Sequence, residues 1–163
     1  MESLESPELN PAPQVDFAFV ADAVQAVAGK LYVIGGGWDT LFVRSFPARH
    51  PTMGIGVRVR VPWSDVDEFS LSVDLVDEDG TSLFNGRTLT QRIKVVRAIG
   101  MLAGGDMGVV RAFTFNNLTF PRSGGYSFRL LVDDVEVSRL RFRLRQRQIS
   151  SGGATSNPEE SDA

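Results

Sequence analysis

Five arginines at alternate positions near the end of the chain form its strongest chemical pattern. Alternate residues of a β-strand project from one face about 6.8 Å apart. These side chains therefore form a single row, named here the arginine row: Arg139, Arg141, Arg143, Arg145 and Arg147. Such a row suits a polyanion whose phosphates it would contact. It also suits a strand that is neutralised by neighbouring acids or that protects a sheet edge from aggregation. The sequence favours this structural role and leaves polyanion or nucleic-acid binding as the alternative.

Acidic residues concentrate in two neighbouring segments, and carboxylates are the ligands that calcium prefers. The ligands would come from Asp65, Asp67, Glu68, Asp74, Asp77, Glu78 and Asp79. Their spacing does not match an EF-hand loop, and Asp79-Gly80 is itself a strong signal for a tight turn. The sequence therefore predicts a solvated acidic loop that binds no metal.

The remaining polar residues do not assemble into a catalytic group. His50 is the single histidine and lies in a predicted loop, without the Cys, His or acid that a zinc site or a Ser-His-Asp triad requires. The three glycines at 35–37 lack the Lys-Ser/Thr and the helix of a phosphate loop, and we expect a turn that lets Trp38 pack. Trp38 and Trp63 are expected to pack rather than to stack on a sugar. We expect no catalytic residue, no cofactor and no metal.

Charge divides the chain into a central segment and two tails. Residues 1–14 and 148–163 each contain three acids and no base, so all 17 Lys and Arg residues lie in 15–147. We predict one β-sandwich domain over 15–147, with a disordered acidic tail at 1–14 and a second disordered tail at 148–163. Cysteine is absent, and no signal-peptide pattern or apolar run of membrane-spanning length occurs, so we expect a cytoplasmic protein without a membrane partner.

Short segments of alternating hydrophobicity between turn signals predict an all-β fold. The pattern is clearest at 55–61 and 69–75, and we expect these two strands to pair. About eight strands fit an antiparallel β-sandwich that is immunoglobulin-like or a related Greek key. Weaker patterns predict an extended segment at 15–27, a short buried strand at 30–34, a brief strand at 81–84 and an edge strand at 89–96.

Residues 124–147 are predicted to form a β-hairpin whose turn is Asp133-Asp134. Tyr126 follows a glycine turn at the start of the first arm. In a tyrosine corner, a tyrosine in this position bonds through its hydroxyl to the backbone of the preceding turn. The sequence therefore predicts such a hydrogen bond for Tyr126.

Two changes in the parity of the apolar residues predict irregular strands. Val109 and Phe115 share one parity, whereas Leu118 has the other, so we expect a β-bulge or a crossing between sheets at residues 116–117. A similar change within the second arm of the hairpin predicts a bulge at residues 138–139. Strands that bend twice are typical of the corners of a sandwich or barrel.

Four short segments, in this order, resemble a small bacterial family of unknown function. They are GKLYVIGGGWD, the pair Phe46-Pro47, LVDEDGTSL and FPRSGGYSFRLLVDD. The resemblance spans roughly residues 17–145, the extent of one domain. It implies a bacterial β-sandwich, and it carries over no functional residue, because the matching positions are mostly glycines, prolines and apolar core residues.

The sequence as a whole favours a non-enzymatic interaction or accessory module with a protein partner. Binding of nucleic acid or another polyanion through the arginine row is the second hypothesis, and hydrolase activity is a distant third. The neighbours of the arginines discriminate between the first two. Acids beside them favour the module, whereas a bare basic row with aromatic side chains favours the polyanion binder.

Overall fold

The computed structural model describes residues 12–63, 67–97, 99–102 and 104–148, so most of both predicted tails lies outside the described residues. No helix that is long and apolar enough to cross a membrane occurs in this part of the chain. The described residues form nine strands: β1 (Gln14–Val27), β2 (Lys30–Gly36), β3 (Thr40–Val43), β4 (Ala48–Val61), β5 (Glu68–Asp77), β6 (Leu89–Lys94), β7 (Met107–Phe120), β8 (Gly124–Val132) and β9 (Val135–Gln146).

The strands form two sheets, which confirms the all-β prediction. Sheet A has the order β2-β1-β4-β7 and sheet B the order β3-β9-β8-β5-β6. Sheet A is antiparallel throughout. Sheet B is mixed, because β3 runs parallel to β9. The expected count of about eight strands is close, while the parallel pair departs from the antiparallel arrangement that the sequence suggested.

One apolar core fills the space between the inward faces of the two sheets. Sheet A contributes alternate residues of β4, and the side chains of Ile55, Val57 and Val59 are fully buried. Sheet B contributes the matching residues of β5, among them Phe69 and Leu71. Period-two alternation in both strands thus places apolar side chains on the core side, as the sequence predicts.

The predicted pairing of segments 55–61 and 69–75 is wrong. The first lies in β4, which pairs with β1 and β7, and the second lies in β5, which pairs with β6 and β8. The two strands therefore belong to opposite sheets. Alternation identifies the buried side of a strand, but it is the same whether the contacting strand lies beside it or across the core.

Strands β8 and β9 form the predicted hairpin, with Asp133-Asp134 as its two-residue turn. Both turn residues have positive φ angles, of 46° and 67°, as a type I′ turn requires. Leu130 pairs with Ser138 and Leu131 pairs with Glu136, so residue 137 is the extra residue of a bulge. The predicted bulge is therefore confirmed, one position before the expected residues 138–139.

Strand β7 changes its buried parity at Asn117 without a bulge. Phe115 and Leu118 are both buried. They are three positions apart, and in a regular strand residues at an odd spacing lie on opposite faces. The pairing of β7 with β4 keeps one register on both sides of this point. Asn117 has a φ angle of 56°, a left-handed conformation that Asn tolerates better than most residues. The expected bulge or sheet crossing is therefore wrong, because one left-handed residue accommodates the change of face.

The edge strands confirm some predictions and correct others. Strands β1 and β2 cover the predicted segments 15–27 and 30–34, but β2 is not buried, since Tyr32 is 56% exposed and Ile34 is 71% exposed. The reason is its place at the edge of sheet A, where it pairs only with β1. Strand β6 is an edge strand as predicted. The predicted strand at 81–84 is reduced to a single bridge between Val76 and Ser82.

Candidate anion-binding surface

The arginine row lies on the outer face of sheet B. Four of its members alternate along β9, while Arg147 follows the strand directly, and all five side chains are exposed. The intervening Phe142 and Leu144 are buried in the core. Because β3 pairs with residues 143–146 of β9, Arg143 and Arg145 stand on an interior stretch of sheet B. The expectation that the row protects a sheet edge is therefore wrong for these two arginines, whereas no described strand pairs with that side of β9 at Arg139 and Arg141.

The end of the row nearest the hairpin turn is neutralised by Glu136. This carboxylate accepts a hydrogen bond of 2.7 Å from Nε of Arg139 and another of 2.7 Å from Nε of Arg129 on β8. The hydrogen bond from Arg139 is the main reason that the pKa of Glu136 falls to about 2. Arg129 also lies 3.8 Å from the carboxylate of Asp74. Arg139 is therefore a paired charge within a small ionic network.

The rest of the row has uncharged partners on the adjacent strands. On β8, Ser127 pairs with Arg141 and Gly125 pairs with Arg143. On β3, Thr40 lies beside Arg143, and Phe42 lies beside Arg145. Salt bridges elsewhere in the described residues do not include these arginines. We therefore call Arg141, Arg143 and Arg145 the unpaired arginines.

A cleft of about 680 Å³ lies beside the unpaired arginines. Arg141 and Arg143 line it together with the acidic loop at 77–79. Two acids of this loop have another partner, because the guanidinium group of Arg122 lies 3.2 Å from Asp77 and 2.6 Å from Asp79. The carboxylate of Glu78 instead accepts a hydrogen bond of 3.4 Å from the backbone N–H of Gly125. The cleft therefore has a basic wall, formed by the row, and an acidic wall that is held in place by a different arginine.

Tyr126 anchors the turn that carries Arg122. Its hydroxyl donates a hydrogen bond of 2.7 Å to the carbonyl oxygen of Arg122, as predicted for a tyrosine corner. Only 2% of the tyrosine is exposed, and burial raises the pKa of its hydroxyl. Its ring packs edge-on against Phe120, with ring centres 4.9 Å apart. The corner thus connects the core to the acidic wall of the cleft.

The acidic loop owes its shape to contacts within the chain. The carboxylate of Asp77 accepts hydrogen bonds from the backbone N–H groups of Asp79 and Thr81, at 3.0 and 2.9 Å. Within the described residues, no three His, Cys, Asp or Glu side chains are grouped as metal ligands would be. Asp65, which the calcium interpretation included, lies outside the described residues.

The other residues considered from sequence lie outside this surface. His50 is half-buried in β4 rather than in the predicted loop. Trp38 packs edge-on against Phe142 with ring centres 5.9 Å apart. Trp63 is 41% exposed, and the guanidinium group of Arg97 lies 5.1 Å from the centre of its ring. Each tryptophan thus has a packing or cation–π partner within the chain.

Sequence reasoning missed Phe42 as a part of the surface. This side chain is 59% exposed and stands beside Arg145 because β3 runs parallel to β9. The segment at 39–44 reads as extended from its sequence, but a strand pairing with a partner some hundred residues later carries no local signal. The alternation within β9 placed the arginines on one face and could not identify their neighbours.

Comparisons with known proteins give little functional information. No curated protein matches the chain. Among solved structures, one similar chain is the alkylpurine DNA glycosylase AlkC of Pseudomonas fluorescens bound to DNA containing an abasic site analogue, with 12% identity and a TM-score of 0.30. The match covers 78% of this chain and 30% of the glycosylase chain, and a likeness this low carries no argument. Residues 16–145 match the model of the family of unknown function DUF6941, and the chain belongs to that family.

Proposed function

We propose that this domain is a non-enzymatic binding module that holds an anionic partner against the arginine row. The supporting observation is the contrast within the row. Arg139 is paired with Glu136, whereas no described residue forms an ion pair with Arg141, Arg143 or Arg145. A row that served only stability would need counter-charges, because like charges on one face repel. A partner supplies the missing negative charges.

An acidic segment of another protein is the first partner class. Guanidinium groups bind carboxylates through two parallel hydrogen bonds. Their spacing of about 6.8 Å equals that of acids at alternate positions of an extended chain. The acidic wall at residues 77–79 repels a uniformly negative polymer more than a segment that also carries positive charges. Charge complementarity with the two-sided cleft therefore favours a protein.

Single-stranded nucleic acid is the second partner class, and Phe42 is the observation that favours it. An exposed aromatic ring beside a basic row can stack on a base while the arginines contact phosphates. Phe42 has this position relative to Arg145. Stacking on such a ring contributes about 1–3 kcal/mol per base in known single-strand binding proteins.

The proposal includes a cytoplasmic location and no catalytic step. The chain contains no cysteine, so it does not need an oxidising compartment to form a disulfide. The arginines of the row carry fixed positive charges, which suit electrostatic binding better than proton transfer. The proposed activity is accordingly reversible association.

A binding assay with two labelled anions tests the proposal. At low salt, fluorescence anisotropy of the full chain is measured with a peptide of alternating Glu and Ser that also carries two Lys residues at one end, and with a 20-nucleotide oligothymidylate. The variant Arg141→Gln/Arg143→Gln/Arg145→Gln should bind the preferred probe at least about fivefold more weakly, because partly exposed ion pairs are lost. The control Arg49→Gln/Arg87→Gln/Arg92→Gln changes the net charge equally at exposed sites outside the row and should retain wild-type affinity.

The choice of probe separates the partner classes. Stronger binding of the peptide supports the protein partner, and stronger binding of the oligonucleotide supports nucleic acid. The proposal is overturned if neither probe binds, or if the two triple variants weaken binding equally, since the effect would then come from net charge alone.

A further inference from the structure

The chain itself carries a set of acids close to the unpaired arginines in sequence. Residues 148–163 directly follow the arginine row and contain three acids, Glu159, Glu160 and Asp162, and no base. The acidic segment 159–162 thus has about the charge that would neutralise Arg141, Arg143 and Arg145. Because this segment belongs to the same molecule, its concentration near the row depends on the connecting chain and not on the amount of protein.

The length of the connection matches the distance to be covered. Twelve residues lead from Arg147 to Glu159, and their Gly- and Ser-rich composition is that of linkers whose root-mean-square extension at this length is about 20 Å. From Arg147 back to Arg141 the chain covers six residues, or about 20 Å of strand. A linker whose extension equals the span gives the highest effective concentration, in the millimolar range for short flexible linkers.

The acids at the other end of the chain are badly placed for the same contact. Residues 1–14 also contain three acids and no base. However, Gln14 opens β1 beside Arg60, at the end of the sandwich where β7 begins. Strand β9 ends beside the start of β8, at the end where β7 finishes. Strand β7 is 14 residues long, so about 45 Å of strand separates the two ends.

We propose that the acidic segment 159–162 occupies the unpaired arginines when no partner is bound and is displaced by the partner. This inference rests on the proposed function, because the segment and the partner compete for one surface. Exposed ion pairs are individually weak, so the segment acts as a modest competitor. A partner with more negative charges in a row displaces it, whereas a weakly charged one does not. The acidic segment therefore raises the number of negative charges that a partner needs in order to bind.

Neutralising each tail in turn tests this competition. In the full chain, Glu159→Gln/Glu160→Gln/Asp162→Asn removes the three acids after the row, and Glu2→Gln/Glu5→Gln/Glu8→Gln removes three acids from the other tail. The first variant should bind the preferred probe, either the Glu/Ser peptide or the oligothymidylate, about three- to tenfold more tightly at low salt. This gain in affinity should fade as salt screens the charges. The second variant should bind like the wild type. Equal gains in both variants, or no gain in the first, overturn the inference.

Cross-linking provides a readout that does not need any partner. In the full chain with Arg143→Lys, a carbodiimide joins an amine directly to a carboxylate in contact with it. Mass spectrometry should find links between position 143 and residues 159–162 within one molecule, and these links should vanish in the variant with the neutralised segment. Links to residues 2–8 instead, or no link, overturn the inference. If neither tail variant binds a probe, the proposed function fails, while the cross-link still decides whether the segment occupies the row.

Discussion

Glu136 divides the arginine row into a paired and an unpaired part. One carboxylate accepts hydrogen bonds from Arg129 and Arg139, and the next three members of the row have uncharged strand neighbours. Charge-assisted hydrogen bonds of this kind fix side chains in place. At the scale of single residues, Arg139 is therefore part of the framework, and Arg141, Arg143 and Arg145 are available to a partner.

The first residue-scale prediction concerns the acid dependence of stability. Because the pKa of Glu136 is lowered from 4.5 to about 2, its charged form stabilises the fold above its unfolded pKa. This contribution is lost as the pH falls from about 4.5 to about 2. Glu136→Gln should therefore lower the free energy of unfolding by up to about 1 kcal/mol at pH 7.

Urea unfolding of the wild type and of Glu136→Gln across this pH range checks the prediction. The difference between them should shrink below about pH 4.5 and disappear below about pH 2, where the wild-type carboxylate is protonated. A difference that stays constant with pH would show that Glu136 does not stabilise the fold through its charge.

The second residue-scale prediction concerns the tyrosine corner. Tyr126→Phe removes the hydroxyl that bonds to the carbonyl of Arg122 and should destabilise the fold by about 0.5–1.5 kcal/mol. Affinity for an anionic probe should stay the same, since Tyr126 is buried. Tyr32→Phe is the matched control, because Tyr32 is exposed on an edge strand. An unchanged denaturation midpoint in Tyr126→Phe would show that the Tyr126 hydroxyl does not stabilise the fold.

At the scale of strands, local patterns predict much of the fold and little of the surface. The sequence indicates the β8–β9 hairpin, its Asp133-Asp134 turn and its bulge, because alternation and turn residues act over a few neighbouring positions. It does not indicate that β4 and β5 lie in opposite sheets. Nor does it indicate that β3 pairs with residues 143–146 of β9, since such pairings depend on residues far apart in the chain.

The hairpin turn provides an element-scale prediction. Asp134 has a φ angle of 67°, and glycine adopts this conformation without the steric cost of a side chain. Asp134→Gly should therefore raise the free energy of unfolding by about 0.5–1 kcal/mol. Asp134→Val should lower it, because a β-branched residue is strained there. Thermal unfolding of both variants checks the turn type. An Asp134→Val protein as stable as the wild type would contradict it.

At the scale of the whole molecule, positive charge is confined to the folded segment, and the tails are acidic. All 17 bases lie in 15–147, and each tail carries three acids. Within the described residues, several acids elsewhere form ion pairs with cations, as Asp16 does with Arg58 and Asp79 with Arg122. The unpaired arginines are therefore a local excess of charge within a chain whose net charge is −3. Such an excess attracts anions over a distance that salt shortens.

The salt dependence of anion binding shows whether Arg141, Arg143 and Arg145 contact the bound anion. The affinity of the full chain for a single-stranded oligothymidylate is measured at a series of salt concentrations. Three arginine–phosphate contacts predict a slope of about −2 in log affinity against log salt, from about −0.7 per contact. Arg141→Gln/Arg143→Gln/Arg145→Gln should flatten that slope by about two units and leave the melting temperature nearly unchanged, because the side chains are exposed. The same slope in the wild type and this variant would show that the unpaired arginines do not contact the anion.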